Sequence, residues 1–262
     1  MRHFAPFSRI NRTRVVLAGV ALAVIAMGAV TAPAGANHSW NGYHWARAQN
    51  PFTLKLTDHV DSTWDGYLAA VSSDWSASQV LDTAVVPSFT TSKCKAVAGR
   101  VEVCNRRYGR NGWLGISQIW ISGTHITAST VRVNDTYFGL PQYNSAAARQ
   151  SVMCMEVGHS LGLDHQDGVG DSCMDDLSYD WPNIVHPNAH DYAQLATIYS
   201  HLDATTTVAR AARLGSTAVT APRRVSRTLY VENLGNGRKL FTWVTWKSVQ
   251  AAARASDRRP PL

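Results

Sequence analysis

The sequence predicts an α+β fold. Three observations carry it: strand-like runs at 51–60, 113–121 and 126–133, an amphipathic helical stripe at 62–76, and a long helical segment that starts at Ser145 and stops at Gly162. Residues 51–60 alternate apolar and polar, the period of a strand with one buried face. Between 62 and 76, Trp64, Tyr67, Leu68, Val71 and Trp75 recur at spacings of three or four, so they gather on one helix face that is expected to pack on a sheet. Leu114, Ile116, Gln118 and Trp120 then alternate with Gly115, Ser117, Ile119 and Ile121. Ser145 is a good N-cap for a helix through Ala146, Ala147 and Ala148 to Leu161, and Gly162 is the residue type that best tolerates a left-handed C-terminal position. A further helix is expected at 188–201, with Tyr192, Leu195, Ile198 and Tyr199 on one stripe.

The two ends differ from this middle. Arg2, Arg9, Arg12 and Arg14 precede an uncharged apolar stretch from Val15 to Val30, and Ala34-Gly35-Ala36 follows with the small-x-small pattern of a cleavage site. Residues 1–36 therefore read as a signal peptide, with the mature chain beginning at Asn37 and the protein secreted. An uncleaved anchor fits less well, because the apolar run is shorter than the roughly 20 residues a spanning helix needs. A core domain is expected over 37–203 and a linker over 204–226. In a basic tail, 227–262, Leu229-Tyr230-Val231 and Leu240-Phe241-Thr242-Trp243-Val244 flank Gly235-Asn236-Gly237 as a hairpin. A lone hairpin is barely stable in water, so this one is expected to dock on the core, with its aromatics used for packing.

The net charge of +7 is unevenly placed: residues 37–200 hold 10 basic and 15 acidic side chains, and 201–262 hold 11 and 3. Without a nucleic-acid motif, no nucleic-acid partner is expected. The tail reads as solvated, with contact to an anionic surface as the functional alternative. Four cysteines fit two disulfides in an oxidising compartment. Of the three pairings, Cys94 with Cys104 and Cys154 with Cys173 is favoured, the first closing a local loop and the second bracketing the segment that carries the chemistry. A Cys-x-x-Cys metal pattern is absent.

That segment is Met155-Glu156-Val157-Gly158-His159-Ser160-Leu161-Gly162-Leu163-Asp164-His165. On a helix, positions 155 and 159 point at one spot with Glu156 beside them, and a turn at Gly162 allows His165 to return to it. Here the chain resembles the metzincin zinc endopeptidases, and the matrixin-like ones most, whose pattern is His-Glu-x-x-His-x-x-Gly-x-x-His followed by a methionine in a tight turn. Glu156, His159, Gly162 and His165 match four of its five positions, and Met174 is placed for the turn methionine. The resemblance spans about 40–201. It implies a twisted mixed sheet packed with helices, and an active-site helix followed by the methionine turn and a C-terminal helix. One catalytic Zn2+ would be held by histidines including His159 and His165, Glu156 would be the general base, and the substrate would be a protein or peptide. The strand near 114–121 would be the edge on which the substrate pairs, and Tyr179 and Trp181 would wall a pocket. A monomer is expected, and latency through a zinc-capping cysteine in a leading propeptide is not.

Met155 departs from the pattern, because a neutral thioether is a poor partner for zinc. Three outcomes stay open. Either one of Asp167, Asp171, Asp175, His125, His186 and His190 completes the site; or two histidines and solvent hold zinc; or the metal is lost and the chain is an inactive metzincin-fold binding protein. The acidic residues Asp164, Asp167, Asp171, Asp175 and Asp176 lack a calcium-loop spacing and read as a solvated loop.

Overall fold

In chain order the elements are β1 (His44–Trp45), β2 (Phe52–His59), α1 (Asp65–Trp75), β3 (Leu81–Pro87), β4 (Val101–Arg106), β5 (Trp113–Ser122) and β6 (His125–Asn134). There follow α2 (Asp135–Phe138), α3 (Ala146–Ser160), α4 (Ala189–Ile198), β7 (Arg223–Arg224), β8 (Leu229–Gly235), β9 (Arg238–Trp246) and α5 (Val249–Ala253). The computed structural model describes residues 1, 3, 38–88, 94–166, 170–175, 181–210, 214 and 219–262. The expected leader at 1–36 lies almost wholly outside them, as do Asp167, Asp176 and Tyr179. Every strand and helix above belongs to the compact unit Pro33–Leu262. Among the described residues no helix is long and apolar enough to cross a membrane.

The strands form one mixed sheet in the order β3-β2-β4-β6-β5-β9-β8-β7, with β1 paired to the start of β6. Neighbours from β3 through β6 run parallel, and β5 turns back antiparallel on β6. Helix α1 is the crossover that joins β2 to its parallel neighbour β3, as parallel pairing requires. Phe52, Leu54 and Leu56 alternate inward along β2, and Leu68, Val71 and Trp75 line the buried face of α1.

Strand β5 behaves otherwise. Residues Trp113–Ile119 are buried without alternation, because both faces of the sheet are covered there. One face carries α3 and the main core, and the other carries a smaller cluster of Trp113, Ile116, Tyr230, Val244, Trp246 and Ala252 under α5. The C-terminal hairpin is thus a continuation of the core sheet. Strands β3 and β4, with runs LDTAVVP and VEVCNR, were not read from the sequence as elements.

Helix α3 begins where Ser145 accepts a hydrogen bond from the Ala148 amide, and from Val152 to Ser160 it is buried all round. Disulfides join Cys94 to Cys104 and Cys154 to Cys173. The second ties α3 to the turn holding Met174, whose thioether lies against Gly158. After α3 the chain reverses at Gly162, at φ +105°, where a Cβ would come within 2.5 Å of the Tyr43 carbonyl oxygen. Both the left-handed backbone and that rigid neighbour exclude a side chain. Gly162→Ala should therefore lower stability by at least about 2 kcal/mol, a fall in Tm of roughly 4–8 °C in a thermal melt of the whole chain.

Candidate functional site

The helical spacing places Met155, Glu156 and His159 on the part of α3 that faces β5 and β9, and the turn at Gly162 returns His165 to His159. Their Nε2 atoms are 3.1 Å apart. The Nδ1 of His159 is 2.9 Å from the Leu163 carbonyl oxygen and donates to it. That bond fixes the tautomer in which Nε2 presents a lone pair toward His165. The His165 Nδ1 lies 3.3 Å from the Thr228 hydroxyl. Met174 is buried in a turn beneath α3, its amide donating to the Ser172 hydroxyl at 3.0 Å.

Glu156 is wholly buried. The Thr245 hydroxyl donates to its Oε1 at 2.6 Å, and Oε2 has no hydrogen-bond partner. The carboxyl fits against β5 only because residue 115 is glycine, where a Cβ would lie 2.4 Å from Oε1. Desolvation raises the Glu156 pKa to about 8, against the smaller opposing effect of the hydrogen bonds from Thr245 and Ser117. The same burial lowers His159 well below its ordinary value, and with the nearby Arg227 charge it brings His165 to about 3. At neutral pH the three groups are a neutral acid and two neutral imidazoles.

The expectation that 114–121 is a free substrate edge is corrected. Strand β9 runs antiparallel along β5 from Trp113↔Trp246 to Ser122↔Arg238, so both sides of β5 are paired. Period-two alternation sends Phe241, Trp243 and Thr245 toward α3. Trp243 stacks on His159 at 4.6 Å and 9°, and meets His165 edge-on at 5.3 Å. The Thr245 hydroxyl also lies 3.1 Å from the Met155 sulfur. Trp40 and Tyr43 of the N-terminal segment pack on Phe241 within the same core. The hairpin aromatics do pack, and what they pack on is the site.

Of the residues considered as a third ligand, Asp167 lies outside the described residues and the others have partners elsewhere. His125 is 3.1 Å from Asp203, His186 is 2.8 Å from Asp74, and His190 stacks on His38 at 4.8 Å. Asp171 accepts from the Asn188 amide group at 2.7 Å and Asp175 from the Gly170 backbone at 2.6 Å. Asp175 is buried, so the acidic stretch is not a uniformly solvated loop. Trp181 is half-buried in a 3-10 turn. Sequence reasoning missed Thr228, Trp243 and Thr245, which reach the site from far along the chain. The alternation around Trp243 marks a buried face, but no local pattern names what that face covers.

A carboxyl whose folded pKa exceeds its unfolded value costs stability once pH rises above the unfolded value. For Glu156 that window runs from about 4.5 to about 8. Metal-free protein should lose up to about 1.4 kcal/mol per pH unit across it from this group. Glu156→Gln should flatten that stretch of the profile in urea unfolding, and a slope unchanged by the substitution would mean that the buried carboxyl is ionised.

No protein-family model and no curated protein sequence matches this chain. Among solved structures, it is similar to high choriolytic enzyme 1, a hatching-enzyme zinc-protease from the medaka fish Oryzias latipes. The identity is 10%, the match covers 63% of this chain and 99% of that one, and the TM-score is 0.35. An overlap of that size is too slight to transfer a fold or a site.

Proposed function

We propose that the chain is a secreted, zinc-dependent metalloendopeptidase of metzincin-like type whose site is closed by its own C-terminal hairpin. The observation that carries this reading is the 3.1 Å approach of the His159 and His165 Nε2 atoms. Two bonds of about 2.0–2.1 Å to one tetrahedral zinc set their donor atoms roughly 3.3 Å apart. The two imidazoles fit that ion, with the outer nitrogen of His159 tied to a carbonyl oxygen; the Met155 thioether does not. Zinc held there would supply an acidified water and a Lewis acid for the scissile carbonyl.

The chain's own residues account for the rest. Desolvation is the main cause of the raised Glu156 pKa, so admitting water would return the carboxyl toward its ordinary value and make it a base. An extended peptide would take the place of β9 on β5, through the same antiparallel pairing. In the closed form Trp243 and Thr245 exclude both water and substrate. Contact of the tail with an anionic surface is a separate possibility that this reading does not need.

A second reading, an inactive binding protein on the same scaffold, is favoured by Met155, whose sulfur is packed against Thr245.

Three measurements separate the readings. Stripped chain reloaded with zinc and desalted should hold one equivalent more than His165→Ala. Trp243→Ala, in the full chain and with folding checked by circular dichroism, should raise cleavage of an unstructured protein at least about tenfold by reopening a preorganised site. Adding Glu156→Gln to it should return the rate to background. Equal zinc content in the first pair, with no turnover by Trp243→Ala, would leave the binding scaffold. In that case Met155→His should create both zinc affinity and proteolysis.

A further inference from the structure

Away from α3, three polar side chains meet where the first strand of the core passes the chain that leaves its last long helix. His44 lies in β1, and His201 and Asp203 follow α4. The His44 Nε2 is 3.2 Å from the His201 Nε2 and 3.5 Å from the Asp203 Oδ1, and the His201 Nε2 is 3.6 Å from the same oxygen. Ligands of a tetrahedral ion with bonds of about 2.0–2.1 Å lie roughly 3.3–3.4 Å apart, and these three edges bracket that separation. Among the described residues, no other set of three His, Cys, Asp or Glu brings its ligand atoms within 4.8 Å of one another.

Each group is also held from behind. The His44 Nδ1 donates to the Gly42 carbonyl oxygen at 2.8 Å, which turns the lone pair of its neutral ring inward at Nε2. Burial favours that neutral form. The Asp203 Oδ2 accepts from the Arg47 guanidinium at 2.8 Å and from the Arg47 backbone at 3.2 Å, leaving Oδ1 toward the histidines. Burial would raise the Asp203 pKa, but hydrogen bonds from the Arg47 backbone and from His125 hold the carboxyl below its ordinary range. His125 reaches Oδ1 at 3.1 Å from the start of β6.

A neutral imidazole lone pair thus faces a carboxylate oxygen, an arrangement that a cation satisfies and that hydrogen bonds satisfy only if His201 donates to His44. His44 and Asp203 are largely buried, whereas the His201 side chain is 53% exposed, which gives an ion a path in.

We propose that His44, His201 and Asp203 bind a divalent transition-metal ion, zinc by ligand chemistry, as a structural clasp separate from the α3 pair. Two imidazoles and a carboxylate are a zinc-type donor set, with solvent for a fourth position. The clasp pins the N-terminal segment to the chain after α4, beside two backbone bonds already there: Asp203 to Arg47 at 2.9 Å and Thr207 to Ala46 at 2.9 Å. It does not depend on whether His159 and His165 take up metal.

The test uses the full chain, stripped by chelator, reloaded with zinc chloride and desalted. His201→Ala removes a half-exposed ring and little packing, and it should hold one equivalent of zinc fewer than the unsubstituted chain, whatever the α3 site binds. Asp203→Asn, nearly isosteric, should show the same loss. Zinc at a hundredfold excess over its Kd should raise Tm by roughly 5–10 °C more in the unsubstituted chain than in His201→Ala. Equal zinc content and equal zinc-dependent Tm in the two chains would overturn the clasp and leave a histidine–aspartate hydrogen-bond cluster. Loss of metal in His165→Ala alone would place the zinc only at α3.

Discussion

Desolvation of Glu156, His159 and His165 is the constraint to which the surrounding structure answers. A buried carboxylate is costly unless it is paired, and burial here leaves the group neutral, with one oxygen bonded to Thr245 and the other without a partner. The space that this carboxyl occupies exists because β5 has a glycine at 115, and the imidazole of His159 is capped by the plane of Trp243. Each of these adjustments comes from the sheet, so the chemistry of α3 is set by strands on either side of a single line of backbone pairing.

That pairing ties distant parts of the chain to one another. Trp40 and Tyr43 pack on Phe241 of β9, the Tyr43 carbonyl fills the space beside Gly162, and Gly162 is the point at which His165 turns back. The Trp45 indole donates to the Ser160 carbonyl oxygen at 2.8 Å, and the Tyr199 hydroxyl to that of Leu161 at 2.9 Å. The last turn of α3 is therefore held by the segment before β2 and by the end of α4. Movement of the N-terminal segment would be felt at the histidines through packed, rigid groups.

Much of the centre was legible from the sequence because its signals are local. Alternation at 51–60, the stripe from Trp64 to Trp75, and Ser145 with Gly162 at the two ends of a helix each follow from neighbours a few residues apart. The approach of His165 to His159 was legible too, since helix geometry and one glycine produce it. The cover was not. Its strand was recognisable as part of a hairpin, but choosing β5 as its partner depends on which sheet edge is free after folding, and no spacing in the sequence encodes that. The same limit hid the meeting of His44, His201 and Asp203, whose sequence neighbours give no metal-ligand pattern. Strands β3 and β4 were missed because short apolar runs are ambiguous until parallel neighbours bury them.

The position of the hairpin at the far end of the chain sets an order of events. During synthesis α3, His165 and the turn with Met174 emerge before β8 and β9, so for an interval the carboxyl and the two imidazoles meet water. An ion can enter then without displacing a packed tryptophan. Once β9 has zipped onto β5, exchange waits for the strand to peel away, and the lifetime of whatever lies beneath is governed by how fast that strand opens as well as by affinity.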